Sequence, residues 1–297
     1  IVEQKDASSD QLQVSEVNTG VMALTTKLLS DWLPEIGNQN AQSEYYLTDL
    51  IAIARSAGYG INAVQPISAS EVQGINSRQQ LADLERAYQL RLADLLMASG
   101  TSLADPARFD QRGALTAGTD NFIDINCLFE GKVTIGSNVR IGPNCQITDS
   151  HIGDGVEIKA NTVIEQSTIG DQAILGPFAR IRPGTQLGSN TKVGNFVETK
   201  KAIVGNGSKI NHLSYVGDAK LGENVNVGAG TITCNYDGVN KHKTDIGDNS
   251  FVGSNSTLIA PISIGANGFV AAGSTISSEV PADHLAVGRA KQRNIPG

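Results

Sequence analysis

An aliphatic residue followed by glycine occurs fourteen times between Ile135 and Gly265, and this repeat constrains the fold more than any other feature. The instances are Ile135, Ile141, Ile152, Ile169, Leu175, Leu187, Val193, Val204, Val216, Leu221, Val227, Ile246, Val252 and Ile264. Steps between them are 6 or 12, sometimes 5, 11 or 17, and once 19. Ile147, Ile158, Ile164, Ile181, Ile210, Leu258, Val270 and Ile276 keep the register where the glycine is missing. A period this short means stacked coils. Three strands of about two residues, joined by tight turns, make one coil of about 18 residues. The aliphatic residue points inward onto its copy one coil away, and the glycine relieves crowding or takes φ > 0 at the corner. Four residues after the aliphatic the side chain is small, as at Val139, Cys145, Ala173, Ala179, Thr185, Thr191, Thr231, Ser250 and Ser256, because a narrow interior holds no more. The solenoid is expected over 119–297, with on the order of nine coils. Periodicity leaves the hand of the coil open. Its one large break is the step of 19, where 234–243 should project as a loop from one face.

Upstream the pattern differs. Residues 1–75 read as α/β, with a strand over 14–24 broken by Asn18-Thr19-Gly20, helices over 26–36 and 45–57, and a short strand over 61–64. Residues 77–98 give the clearest helix. Ser77 is its N-cap, Leu81, Leu84, Tyr88, Leu92 and Leu95 form its apolar stripe, and Gly100 is its stop. The bland reading is a connector packed on its neighbours; a partner-binding helix is the alternative. The chain opens on Ile1-Val2-Glu3 without a glycine-rich phosphate loop, which leads us to expect a fragment that starts inside a domain.

Net charge is −7, so no global positive field would draw nucleic acid or an anionic membrane. No apolar run of about 18 residues predicts a membrane span. Cys127, Cys145 and Cys234 are odd in number, far apart and lack CxxC spacing, which argues for a reducing compartment, the cytoplasm by default.

Few residues are left to carry chemistry. Of the four histidines, His212 lies in the unusually polar run Lys209-Ile210-Asn211-His212-Leu213-Ser214-Tyr215. It is either a general base or a structural histidine. His242, on the excursion, and His284 are weaker candidates. Arg182 and Lys200, about one coil apart, should stack on one face. Two stacked cations call for an anion between them, or else for neutralising carboxylates such as Glu198. Ser254 is a nucleophile only by residue type, since no GxSxG elbow is present. No two histidines lie close enough for a three-histidine zinc site of the kind some trimeric β-helices carry.

Three segments carry a more specific signal: Gly176-Pro177-Phe178-Ala179-Arg180-Ile181-Arg182-Pro183-Gly184, Gly194-Asn195-Phe196-Val197-Glu198, and 228–238, which reads GAGTITCNYDG. With 105–110 (DPARFD) and 40–46 (NAQ.EYY) they resemble the bacterial bifunctional N-acetylglucosamine-1-phosphate uridylyltransferase / glucosamine-1-phosphate N-acetyltransferase family, along essentially the whole chain. The resemblance implies a left-handed parallel β-helix acetyltransferase domain over 119–297, after an incomplete α/β uridylyltransferase segment (1–76), a linker helix (77–100) and a linker (101–118). It implies a homotrimer with shared sites, no nucleic-acid partner and no membrane insertion. His212 would be the general base, oriented or polarised by Glu198. Arg182, Lys200, Tyr215, Asn226 and Lys241 would hold the sugar phosphate. Ala229, Asn235, Tyr236, Ser254, Ala272 and Arg289 would line the acetyl-CoA path. Glu3, Asn18 and Asn76 would be remnants of the uridylyltransferase site, Asn76 as a Mg²⁺ ligand only together with absent residues. The implied reaction is acetylation of glucosamine-1-phosphate, towards UDP-N-acetylglucosamine for peptidoglycan and lipopolysaccharide. The rivals are a related acyltransferase with another acceptor, a trimerisation stalk without chemistry, and a truncated segment 1–75 that is loosely ordered.

Overall fold

The computed structural model describes residues 1–295, so the last two residues of the domain expected at 119–297 lie outside the described residues. The chain divides into two units, Ile1–Ala87 and Tyr88–Gly297.

In the first unit, helix α1 (Thr26–Trp32) starts at Thr25, whose hydroxyl accepts from the Leu28 N–H. Helix α2 spans Leu50–Ser56. Trp32, Leu50 and Ala54 make a small core, with Tyr59 edge-on to Trp32 at 5.2 Å. The strands expected at 14–24 and 61–64 do not form. A strand needs a neighbour for its N–H and C=O groups, and neither segment has one; Val17 and Val64 are 79% and 90% exposed.

Helix α3 (Arg78–Ala98) forms as expected, with the Ser77 hydroxyl accepting from the Gln80 N–H. Its buried face, however, is Gln89, Ala93 and Leu96, while Leu81, Tyr88 and Leu95 of the expected stripe are exposed. Gln89 explains the choice: its amide donates to the Gln111 carbonyl at 2.9 Å and accepts from the Gln111 N–H at 2.8 Å. The helix thereby satisfies backbone groups that the first coil of a solenoid leaves without a partner.

The second unit is a left-handed parallel β-helix. One face is an 11-stranded sheet that takes one strand from each coil, and the other two faces share a second sheet. The solenoid begins earlier than expected. Thr101–Leu103 pairs with Asn121–Ile123, and Phe109–Ala117 pairs in parallel with Cys127–Ile135. Residues 101–118 are therefore a coil rather than a linker; the hexad is hidden there because no glycine follows Phe109 or Leu115, and the residue before Gly118 is the small Ala117.

Inside, the aliphatic residues stack in ladders such as Ile147–Ile164–Ile181, all essentially inaccessible. The small residues from Val139 to Ser256 are buried as expected, none more than 2% exposed. Their hydroxyls are satisfied locally: Thr185 donates to Arg182 O at 2.8 Å and Ser256 to Gly253 O at 2.7 Å. The glycines serve closeness more than left-handed φ. A Cβ at Gly142 or Gly228 would sit 2.9 or 2.5 Å from the backbone nitrogen of Ala160 or Ser254 on the next coil. Among residues other than glycine, the left-handed corners fall most often on asparagine, as at Asn144, Asn161 and Asn255, which tolerates that region best after glycine.

Candidate active site

Stacking by coils turns residues far apart in sequence into a column. Leu213 N–H donates to Asn195 O, Gly230 N–H to His212 O, Asn255 N–H to Ala229 O and Gly273 N–H to Ser254 O, at 3.1, 3.2, 2.7 and 2.8 Å. Asn195, His212, Ala229, Ser254 and Ala272 therefore follow one another along a single edge of the solenoid. His212 is exposed, and above it run three small side chains. At the far end the Arg289 guanidinium donates to Ala272 O at 2.5 Å.

The His212 imidazole is held through Nδ1, 2.9 Å from the Asn195 Oδ1. Glu198, expected to orient it, instead accepts from the Arg182 guanidinium at 2.6 Å. Strand register explains this. Glu198 stands opposite Arg180 and two residues from Lys200, on the face beyond the corner from His212.

That face carries the cations. Arg182 donates its backbone N–H to Thr199 O at 2.9 Å, which sets it one layer from Lys200 as the coil length predicts. The hydrogen bond that the guanidinium donates to Glu198 raises its pKa. Lys200 is different: its ammonium is held below its usual range, first by the charge of Lys241 and then by that of Arg182. Of the two readings of the stacked pair, the neutralising one holds for Arg182. Glu198 neutralises Arg182, while Lys200 and Lys241 face each other as like charges. The Tyr215 phenol leans towards the same space, because Gly217 has no side chain there: a Cβ on Gly217 would meet the phenol oxygen and lie 2.6 Å from Cζ. Gly217 is the register partner of Lys200.

Lys241 arrives on the excursion loop, which closes through an antiparallel bridge between Tyr236 and Lys241. The Asp237 carboxylate accepts from the N–H groups of Asn240 and Val239 at 2.6 and 2.8 Å, and meets the His242 Nε2 at 2.8 Å. The Asn240 N–H first, then His242 and the Val239 N–H, pull its pKa down to about 2. Asn235 at the loop base is nearly buried and donates its amide to Asp218 at 2.5 Å. Tyr236 turns its hydroxyl onto Gly238 O at 2.6 Å. Asn226 lies on the face before the corner, paired with Lys209 and Phe251.

The other histidines serve elsewhere. His284 bonds the Ala282 carbonyl, and His151 lines a groove of about 390 Å³ between Lys132, Asp149 and Gln186. In the first unit Glu3 lines a cavity of about 490 Å³ with Asn40 and Tyr46, whose walls include neither Asn18 nor Asn76. Asn76 is exposed, with its N–H bonded to Gln80. A lone neutral amide does not make a magnesium site, and among the described residues no group of three His, Cys, Asp or Glu could hold a metal. No helix among them is long and apolar enough to cross a membrane.

Two residues central to this geometry were not singled out from sequence, Asn195 and Gly217. Asn195 lies 17 residues before His212, so counting back by this coil's own length would have found it.

The family models that match the chain agree with the repeat architecture. Residues 113–197 match the family described as GMPPB C-terminal domain, and residues 243–278 match the hexapeptide repeat of succinyl-transferase. The bifunctional protein GlmU of Marinobacter nauticus is 61% identical over all 297 residues, and that of Cellvibrio japonicus 58%. The chain spans 65% and 66% of the lengths of these two relatives. Among solved structures, the UDP-N-acetylglucosamine acyltransferase of Campylobacter jejuni is similar over 63% of this chain and 71% of its own, at 18% identity and TM-score 0.47. Matched along its whole length, with the three motif segments set on one solenoid edge and its adjoining face, the chain is similar to the bifunctional GlmU proteins.

Proposed function

We propose that the solenoid transfers the acetyl group of acetyl-CoA to the amine of glucosamine-1-phosphate. The observation that carries this reading is one arrangement: an exposed His212 held at Nδ1 by Asn195, at the foot of a column of small residues, with Lys200 and Lys241 set against each other as like charges on the face beyond the corner. Lys200, Lys241 and Arg182 take the sugar phosphate, whose charge relieves their mutual repulsion. Tyr215 adds a hydroxyl to the same anion, and Asn226 meets the sugar from the adjoining face. Acetyl-CoA lies along Ala229, Ser254 and Ala272, with its phosphates towards Arg289 and its acyl end near Asn235 and Tyr236. His212 Nε2 takes a proton from the amine as its nitrogen attacks the thioester carbonyl. The new C–N bond forms, the C–S bond breaks, and the CoA thiolate leaves with the proton returned from His212. Glu198 acts through Arg182, by holding the guanidinium in place. The product is N-acetylglucosamine-1-phosphate, a precursor of UDP-N-acetylglucosamine for peptidoglycan and lipopolysaccharide.

The remaining parts of the reading are assembly and place. Phe178, Phe196 and Leu213 occupy successive corners in the left-handed region, at φ 57°, 55° and 51°, and are 50%, 56% and 63% exposed. Bulky residues there cost on the order of 1–3 kcal/mol each. An apolar stripe held at that cost next to His212 fits a contact with another copy, and so a homotrimer with shared sites. Three unpaired thiols suit the reducing cytoplasm. No uridylyltransferase step is assigned to Glu3, Asn18 and Asn76. A scaffold without chemistry would need Lys200 and Lys241 neutralised, whereas the charge of Lys241 holds the Lys200 ammonium below its usual range despite the opposing Asp218 carboxylate.

The test is an acceptor panel with thiol release from acetyl-CoA as readout. Glucosamine-1-phosphate should outrun glucosamine and other amino sugars by about a hundredfold or more in kcat/KM. Preference for another acceptor overturns the substrate, and release with none overturns the reaction.

A further inference from the structure

A histidine can act as a base at one nitrogen only if its proton resides on the other. The structure supplies a device for this that the reaction by itself does not specify. The parallel strands Lys192–Asn195 and Lys209–His212 put Asn195 opposite His212, and the Asn195 Oδ1 meets Nδ1 at 2.9 Å. The approach is unusually close. At Gly194, just before Asn195, an added Cβ would run into the backbone carbonyl of Asn211, just before His212. Glycine there lets the two strands carry their side chains within hydrogen-bonding reach.

We propose that Asn195 is a positioning residue that keeps His212 in the Nδ1–H tautomer, so that the lone pair is at Nε2; its catalytic consequence rests on the acetyl-transfer reading above. An amide oxygen can only accept, so the partner nitrogen must carry hydrogen. The choice of an amide over a carboxylate has a second effect. A carboxylate at this distance would favour the imidazolium over the neutral base. The neutral amide fixes tautomer and ring orientation without that penalty. When Nε2 accepts the substrate proton, the Nδ1–H···O bond persists, so no partner has to exchange during the reaction. The remaining charged and titratable groups leave this role to Asn195. Lys209 shares the strand of His212, Glu198 and Tyr215 stand beyond the corner with Glu198 engaged by Arg182, and Ala229 one coil above carries no charge.

The direct test is ¹⁵N long-range NMR of the full chain with labelled histidine and no substrate, the His212 signals being assigned by their loss in His212→Gln. Wild type should show Nδ1 protonated. Asn195→Ala should move the population towards Nε2–H. Asn195→Asp should keep Nδ1–H and raise the His212 titration midpoint by about one unit or more. An Nε2–H wild type, or an unchanged tautomer in Asn195→Ala, overturns the proposal. These spectra need no turnover, so they stand even if the acetyl-transfer reading fails. In the kinetic arm, Asn195→Ala should lower kcat by about tenfold or more while KM for acetyl-CoA holds. Asn195→Asp should shift the acid limb of the pH–rate profile upwards. An altered tautomer with unchanged kcat would remove Asn195 from the catalytic machinery.

Discussion

Gly217→Ala is a one-carbon change whose effect follows from geometry. The added Cβ would lie 2.6 Å from Tyr215 Cζ and 2.8 Å from Cε1. Apolar atoms rest at about 3.5–4.0 Å, so the phenol must move by about 1 Å, away from the space above Lys200. The backbone at Gly217 lies outside the left-handed region, so alanine is not strained, and a lower unfolded-state entropy adds about 0.4–1 kcal/mol of stability. Binding and folding therefore separate. The melting temperature should hold or rise slightly. The sugar phosphate loses a hydrogen bond to a charged group, about 1.5–3 kcal/mol, or roughly a 10–150-fold rise in its KM. KM for acetyl-CoA should stay put. The assay is steady-state CoA release with each substrate varied in turn, beside Tyr215→Phe. If KM for glucosamine-1-phosphate stays within about twofold in Gly217→Ala while Tyr215→Phe raises it, the displacement argument is wrong.

Three further outcomes follow from the same structure. Ile164→Ala, inside a ladder, should cost about 2–5 kcal/mol in urea unfolding, whereas Ile203→Ala, 47% exposed, should stay within about 0.5 kcal/mol; equal costs would deny the inward stacking. Phe196→Asp should shift sedimentation from trimer towards monomer, and an unchanged trimer would place the interface elsewhere. The Asp237 pKa is depressed to about 2 from an ordinary value of about 3.9, so the loop clamp is complete above about pH 4 and fades as pH falls towards 2. Amide-exchange protection at Val239 and Asn240 should follow that curve, and protection that is flat with pH or intact in Asp237→Ala would contradict it.

Much of this was legible because a solenoid is nearly one-dimensional: the hexad fixes which residues face inward, and the coil length fixes which stack. Thr185, Ser256 and Cys145 read as interior from spacing alone and are interior. Reading failed where the signal was tertiary. The apolar stripe of α3 predicted burial of Leu81 and Leu95, yet the helix turns Gln89 to the coil because an open sheet edge needs a donor and an acceptor. The run 14–24 looked like a strand, but without a neighbour its backbone has nothing to bond. The site was half legible. Arg182 and Lys200 emerged from coil counting at 18 residues, whereas Asn195 needed the 17-residue coil that holds His212. Glu198 was legible as a neutralising carboxylate for Arg182, while the resemblance also set it at His212, because sequence does not say on which side of a corner a carboxylate falls.

The central claim is that His212 is the base of an acetyl transfer, and free CoA release from acetyl-CoA and glucosamine-1-phosphate, run with wild type beside His212→Ala, tests it most directly. The account predicts robust release that falls by about a hundredfold or more in the variant while KM for acetyl-CoA is unchanged. Release that survives the substitution would contradict the assignment of the base, and no release from the folded wild-type protein would contradict the reaction itself.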